Sequence, residues 1–74
     1  MALVDVHSEV TGKVWKLLIE IGAPVTPDDA IMVVESMKME IPVSPESAGT
    51  LVAVLVAEGD SVEDGQVVAR IEKT

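Results

Sequence analysis

The stretch Glu35-Ser36-Met37-Lys38-Met39-Glu40 lies at the midpoint of a 74-residue chain and places one lysine between two methionines. Methionine is a flexible apolar side chain that ordinarily fills gaps in a core. Successive side chains of a strand point to opposite faces, so these three residues cannot all face a core. We therefore interpret Lys38 as a presented residue, and we expect the rest of the chain to build the scaffold that presents it.

The sequence around this stretch repeats itself at an offset of 37 residues. Gly12 aligns with Gly49 and Gly22 with Gly59, and no gap is needed from residue 4 to residue 74. Further matches at this offset are Val6 with Val43, Leu18 with Leu55, Val25 with Val62 and Val34 with Ile71. Since the chain has only five glycines, these pairs predict an internal duplication with halves at about residues 4–37 and 41–74.

Each half reads as a short strand, a polar turn ending at glycine, a longer strand closed by a second glycine, a polar bend around one valine, and a last strand. The predicted strands are Val4–His7, Val14–Ile21, Ala30–Ser36, Ile41–Ser44, Leu51–Glu58 and Val67–Lys73, and the bends hold Val25 and Val62. Short β-branched segments between Gly, Pro and Asp turns predict an all-β sandwich or barrel. A helix competes for residues 28–39, but their β-branched residues and the nearby Pro42 favour a strand.

The duplication also predicts the assembly. One half alone cannot bury its apolar face, whereas two halves related by a pseudo-twofold axis can pack face to face, as sandwiched sheets do. The joint between the halves is Lys38–Glu40, and its symmetry mate is the pair of chain termini. We therefore expect Lys38 on a tight hairpin at one end of the domain and both termini at the other end.

Composition bounds the class of protein. The chain is long enough for one domain, and it has no cysteine for disulfides or thiolate metal sites. A formal charge of −8 argues against binding to nucleic acid or to an anionic membrane. The longest apolar run, Leu51–Ala57, is too short to span a bilayer, and Asp5 and Glu9 stand where a signal peptide would be basic and then apolar. These features predict a soluble, cytoplasmic protein.

Lys38 could be an ordinary lysine in an exposed turn. Two flanking methionines, however, bring apolar surface to that turn, which usually marks contact with another molecule. A catalytic lysine is activated by burial or a nearby cation, whereas the neighbours here are Glu35 and Glu40. Acylation of the amine fits this pattern better than catalysis by it.

Other residues give weaker signals. His7 has no cysteine or second histidine beside it, so we interpret it as a strand-end residue and predict no metal site. The carboxylates are scattered over turns, so no catalytic residue is assigned. Trp15 aligns with Val52 and is expected to serve packing. Gly65, which aligns with Asp28, is expected in the left-handed conformation that Asp also tolerates.

The stretch Glu35-Ser36-Met37-Lys38-Met39 resembles the Glu-Ala/Ser-Met-Lys-Met signature of biotinyl domains, the carrier modules of biotin-dependent carboxylases. The resemblance extends over essentially the whole chain, including the glycine pairs and the 37-residue duplication. It implies a flattened β-barrel, a barrel-sandwich hybrid of two four-stranded antiparallel sheets. It also implies that Lys38 is joined to biotin through an amide, with Glu35, Ser36, Met37 and Met39 as the recognition motif.

The resemblance further implies a monomeric carrier with no catalytic activity of its own. A biotin protein ligase would attach the cofactor, a biotin carboxylase would load it with carbon dioxide from bicarbonate, and a carboxyltransferase would pass that group to an acceptor. The chain departs from many members at His7-Ser8, which replaces Ala-Pro, and at Gly22-Ala23, which replaces Gly-Asp. It leaves no room for a protruding thumb and has no N-terminal linker, so it looks like the short stand-alone biotin/lipoyl attachment proteins.

Two alternatives stay open. Lipoyl domains share the fold and the hairpin lysine, but they usually have aspartate before the lysine and a small residue after it, where this chain has Met37 and Met39. An unmodified β-sandwich could instead bind a partner through the acidic, methionine-bearing tip.

Overall fold

The computed structural model describes residues 2–73, which form eight β-strands and, within that range, no helix. The strands are β1 (Ala2–His7), β2 (Gly12–Leu17), β3 (Pro24–Val25), β4 (Met32–Ser36), β5 (Met39–Val43), β6 (Gly49–Val54), β7 (Ser61–Val62) and β8 (Val67–Lys73). They pair into two four-stranded antiparallel sheets, in the orders β1-β8-β6-β3 and β5-β4-β2-β7. The predicted fold class is confirmed, and residues 28–39 contain the strand β4. No described segment is a helix long and apolar enough to cross a bilayer.

Each sheet draws two strands from each half of the repeat. The first sheet joins β1 and β3 to β6 and β8, and the second joins β2 and β4 to β5 and β7. The expectation that the two halves face each other as separate sheets is therefore wrong. Every connection between consecutive strands crosses from one sheet to the other except the connection from β4 to β5. Each half thus completes the backbone hydrogen bonding of the other half, and the β4–β5 hairpin is unlike every other connection within residues 2–73.

The strand registers repeat at the same offset as the sequence. Met32 pairs with Val43, and the equivalent Ala69 pairs with Val6. The irregularity in β2 after Val14 returns in β6 after Leu51, with one extra residue in each strand. The duplication is therefore a structural one, extending to individual residue pairs and to the bulges.

The long strands of each half end earlier than predicted, at Leu17 and Val54 rather than at Ile21 and Glu58. The apolar runs continue past these ends, but Leu18 and Leu55 are already about half exposed, at 51% and 49%. The chain then turns at Gly22 and Gly59, whose φ angles are +98° and +93°. The two valines of the predicted bends form the short strands β3 and β7, and both are buried.

Twelve apolar side chains form the core between the sheets. They are Val6, Val14, Val25, Ile31, Met32, Val34, Val43, Leu51, Val62, Val68, Ala69 and Ile71. Trp15 is not among them: it is 47% exposed at the bulge of β2, with the Lys16 amine 5.5 Å from the centre of its ring. Trp15 follows the buried Val14, so the ordinary alternation of the strand turns it outward, and the packing expected for it is limited to about half of its surface.

The turns at residues 26–29 and 63–66 are equivalent in the repeat, but they differ in conformation at their third residue. Gly65 has a φ of +87°, as predicted, whereas Asp28 is not among the non-glycine residues with positive φ between residues 2 and 73. The backbone bond that closes each turn is the same, from Asp29 N to Thr26 O and from Gln66 N to Glu63 O, both at 2.9 Å. The first turn thus has the negative φ at its third residue that a type I turn has, and Pro27 at its second position is compatible with that turn.

The β4–β5 hairpin and the chain termini lie at opposite ends of the domain. Ala2 pairs with Lys73, so the first and last described residues are neighbours. From there β1 extends for about 17 Å, and Ser8, just beyond it, exchanges backbone hydrogen bonds with residues 65 and 66. Asp64 N donates to Thr11 Oγ1, and Thr11 O accepts from Ser36 Oγ at the base of the hairpin. The predicted separation of hairpin and termini is confirmed for residues 2–73; Met1 and Thr74 lie outside the described range.

Gly12 and Gly49 let neighbouring strands of the same sheet approach closely, β2 to β4 and β6 to β8. A Cβ at Gly12 would collide with the carbonyl oxygen of Glu35, and a Cβ at Gly49 would collide with that of Glu72. Both obstacles are backbone atoms of a paired strand, which cannot rotate away as a side chain can. Glycine is therefore required at both positions by close approach of two backbones.

We predict that Gly12→Ala or Gly49→Ala lowers the free energy of unfolding by about 3 kcal/mol, because overpacking forces the paired strands apart. Gly65→Ala is the matched control: its Cβ meets open space, so only the left-handed conformation opposes it, at a cost of about 1 kcal/mol. Urea denaturation followed by circular dichroism measures all three variants. Equal stability of Gly12→Ala and the parent protein would show that the two backbones are not in close contact.

Candidate functional site

The β4–β5 hairpin turns through two residues, Met37 and Lys38. Ser36 and Met39 form the last residue pair of the two strands. Met37 and Lys38 have φ angles of +50° and +67°, which is the pattern of a type I′ turn, the two-residue turn that matches the twist of paired strands. This turn normally takes Asn-Gly, because other side chains are disfavoured at positive φ. The hairpin therefore keeps two long side chains where the backbone geometry alone favours small residues.

The side chains of the turn project into solvent. Met37 is 94% exposed and Met39 is 64% exposed, and Lys38 between them is exposed as well. Met32, at the other end of β4, is fully buried. The two methionines at the tip thus contribute little to the core, and the lysine is open to a large partner.

A side-chain hydrogen bond fixes the base of the hairpin. Ser36 Oγ donates to the backbone carbonyl of Thr11 at 2.8 Å, and Thr11 Oγ1 accepts from the backbone amide of Asp64 at 3.1 Å. The pairing of Lys13 in β2 with Glu35 in β4 adds a second point of attachment one residue away. These contacts connect the hairpin to the two neighbouring loops, so the turn is presented on a rigid support.

Two carboxylates lie on the strands below the lysine. Glu35 and Glu40 are direct partners across the β4–β5 pair, and both are exposed. Like charges directly opposite each other disfavour strand pairing. The pair is therefore not placed there for the stability of the sheet, and it gives the stem of the hairpin a negative surface.

All five residues assigned from the sequence lie together on this hairpin, but they are not equivalent in the structure. Ser36 is partly buried and bonded to Thr11, so it supports the turn. Thr11 was missed by sequence reasoning. Comparison of the halves contained a signal for it: at the offset of 37 residues the hydroxyl-bearing residues Thr11 and Ser36 align with Ala48 and Lys73, whose side chains have no hydroxyl group.

The hairpin lies outside the groove along β1. A groove of about 460 Å³ runs along β1, lined by residues 3–7 together with Glu9, Ser44 and Glu46, and it includes none of the five assigned residues. His7 is an exposed residue of that groove at the end of β1, in agreement with its assignment as a strand-end residue. Residues 2–73 contain no group of three or more His, Cys, Asp or Glu side chains that could hold a metal ion. The arrangement offers an exposed amine at the end of a two-stranded hairpin, where another protein can reach it.

Known proteins share both the sequence pattern and the geometry. The sequence profile described as "Biotin-requiring enzyme" matches residues 3–71. A urea amidolyase of Lachancea kluyveri is 36% identical over 67 residues, which are 90% of this chain and 4% of that protein. A biotinylated protein TB7.3 homolog of Mycobacterium leprae is also 36% identical over 67 residues, covering 90% of this chain and 94% of that protein. The chain thus spans a small part of the first relative and nearly all of the second.

Two solved structures have a fold similar to that of this chain. The urea carboxylase of Kluyveromyces lactis superposes with a TM-score of 0.91 and 33% identity, over 97% of this chain and 6% of that one. The lipoyl domain of the 2-oxoglutarate dehydrogenase complex of Azotobacter vinelandii superposes with a TM-score of 0.69 and 25% identity, over 86% of this chain and 81% of that one. With the profile match over residues 3–71, these likenesses establish that the chain belongs to the family of biotin/lipoyl attachment domains.

Proposed function

We propose that residues 1–74 form a single carrier domain with biotin attached to Lys38 through an amide bond. The domain then moves a carboxyl group between the biotin carboxylase and the carboxyltransferase of a biotin-dependent carboxylase. The observation that carries this proposal is the placement of Lys38: an exposed amine at the apex of a two-residue turn, between two exposed methionines.

The residues of the hairpin fit a covalently held cofactor. Amide formation needs a lysine amine that a ligase can reach, and Lys38 is exposed beyond the last strand pair. Once bound, biotin supplies a ring nitrogen that accepts and releases the carboxyl group. The chain itself supplies position: the Ser36–Thr11 bond and the β4–β5 pairing hold the stem while the side chain of Lys38 extends away from it. The chemistry is the cofactor's and the placement is the protein's.

Three kinds of partner follow from this proposal: a biotin protein ligase, a biotin carboxylase and a carboxyltransferase. Relatives whose names are urea amidolyase and biotinylated protein support this class of partner. We place the domain in the cytoplasm as a monomer. Its net charge of −8 supports the monomeric state, because net charge opposes self-association.

Biotin is favoured over lipoate by the residues beside Lys38. Lipoyl domains usually carry aspartate and a small residue at the positions of Met37 and Met39. Overall likeness does not separate the two cofactors, because a dihydrolipoyllysine-residue acetyltransferase component of Mycoplasma genitalium is 42% identical to this chain over 64 residues, so the choice of biotin rests on Met37 and Met39. Lipoate on Lys38 is the competing function within the same fold, and an unmodified binding module is the third.

We predict that a biotin protein ligase with biotin and ATP adds one biotinyl group to this chain, and that Lys38→Arg takes up none while keeping its fold. Arginine retains the charge but has no amine that the ligase can acylate. Intact-mass spectrometry measures the addition, and circular dichroism reports the fold. Lys13, Lys16 and Lys73 are internal controls for non-specific acylation. Biotin on the Lys38→Arg variant would refute the assignment, as would modification of the parent chain by a lipoate ligase but not by the biotin ligase.

We also predict that replacing Met37 and Met39 together by serine changes the free energy of unfolding by less than about 1 kcal/mol, because substitutions at exposed positions rarely cost more. The same variant should be biotinylated more slowly, since it removes the apolar surface on both sides of Lys38. Met32→Ser is the matched control: it opens a cavity in the core and buries a hydroxyl, so it should cost about 3 kcal/mol or more. Thermal and urea denaturation compare the two, and a large loss for the tip variant would show that these methionines belong to the core.

A further inference from the structure

The described methionines differ sharply in exposure. Met37 and Met39 are 94% and 64% exposed, whereas Met32 is 0% exposed in the same pair of strands. The two exposed side chains flank Lys38 directly, one in the turn and one at the start of β5. Any reagent in solution that attacks a thioether therefore meets both sides of Lys38 and is kept away from the core.

Methionine reacts with peroxides in a balanced two-electron step. The thioether sulfur attacks one peroxide oxygen, the O–O bond breaks, and the sulfur becomes a sulfoxide while hydrogen peroxide leaves as water. The product is polar and chiral where the parent side chain was apolar, and methionine sulfoxide reductases reverse the change. The chain has no cysteine, so its thioethers are its only sulfur groups.

We propose that Met37 and Met39 form a redox-sensitive modification site, at which oxidation by peroxides slows the acceptance of biotin at Lys38 without unfolding the domain. This inference rests on the proposed function, because it concerns recognition of the same hairpin by the biotin protein ligase. The modifying agent is hydrogen peroxide or another peroxide, and the reversing agents are the methionine sulfoxide reductases.

The fold tolerates the change because neither methionine is part of its core. Met39 pairs with Ser36, whose hydroxyl is already bonded to Thr11, and Met37 has no strand partner. A sulfoxide oxygen at either position stays in water. The Thr11 bond and the strand pairing below the turn do not involve the sulfur atoms, so the backbone that presents Lys38 is unchanged.

Binding of the biotin protein ligase is more sensitive to oxidation of Met37 and Met39 than the fold is. A ligase that acylates Lys38 must approach the turn, and the exposed surface nearest to Lys38 along the chain is the pair of methionine side chains. Burying one methionine side chain against a partner contributes enough free energy for a tenfold or greater change in affinity. A sulfoxide in the same contact brings a polar oxygen that has to be desolvated. We therefore expect oxidation of both methionines to reduce the rate of biotinylation by at least about tenfold at low carrier concentration.

The test uses the whole chain, hydrogen peroxide, and a ligase added only after catalase has removed the peroxide. Peptide mapping should find sulfoxide at Met37 and Met39 but not at Met32, and circular dichroism should be unchanged. Biotin transfer, followed by intact mass, should then be slow, and treatment with methionine sulfoxide reductases A and B should restore the original rate. The Met37→Leu/Met39→Leu variant keeps the apolar surface without the thioethers, and its rate should not respond to peroxide. It retains Met1, so it also controls for oxidation there.

The outcomes separate the inference from the proposed function. If the untreated chain takes up no biotin, the proposed function fails, and this inference fails with it. If the untreated and the oxidised chains take up biotin equally fast, the inference alone fails. It also fails if Met32 is oxidised as readily as Met37, if reductase treatment does not restore the rate, or if peroxide slows the leucine variant as much as the parent chain.

Discussion

The antiparallel pairing of β4 with β5 is the interaction on which the presentation of Lys38 depends. The period of a strand is two residues, so a register slip of one residue would turn Met32 and Val34 out of the core and Glu35 into it. Five consecutive residue pairs, from Met32–Val43 to Ser36–Met39, hold the register. The backbone bond from Ile31 N to Val43 O, at 2.7 Å, extends the hydrogen bonding beyond the strand. The turn therefore falls on Met37 and Lys38 and on no other two residues.

All connections between consecutive strands except β4–β5 cross from one sheet to the other, and this explains how a domain of this size supports the hairpin. Because consecutive strands elsewhere lie in different sheets, most contacts join residues that are distant in sequence, and each half depends on the other for its hydrogen bonds. The core is built largely from valine and isoleucine, which are stiff and fit pleated surfaces. A hairpin alone is only marginally stable in water. This one is supported by β2 on its inner side and by the Ser36–Thr11 bond at its base.

Much of this fold can be predicted from the sequence because the duplication carries long-range information. The offset of 37 residues identifies equivalent strands and locates the hairpin at the joint of the halves. It also predicts that the termini lie at the opposite end of the domain, and the structure confirms this for residues 2–73. Strand ends are less predictable: Leu18 and Ile21 continue an apolar run, and only the sheet that they leave shows that they lie outside a strand. Trp15 is exposed because it follows the buried Val14 in β2, and the alternation of the sequence does not show which face of the strand the other sheet covers. The distribution of strands between sheets and the Ser36–Thr11 bond are tertiary properties, and local sequence carries little of either.

The departures from symmetry identify the functional end more clearly than any single motif. The β4–β5 and β1–β8 pairs have the same register, and the strands next to them, β2 and β6, are equivalent in the repeat. The fold therefore requires the same packing of both pairs. Where β5 begins with Met39 and Glu40, β1 has Ala2 and Leu3, and where β4 ends at Ser36, β8 ends at Lys73. Packing cannot account for these differences, since the positions are solvent-exposed or partly so at both ends. Under the proposed function these differences have one cause: the β4–β5 end has to be recognised by a partner that modifies Lys38, and the β1–β8 end does not.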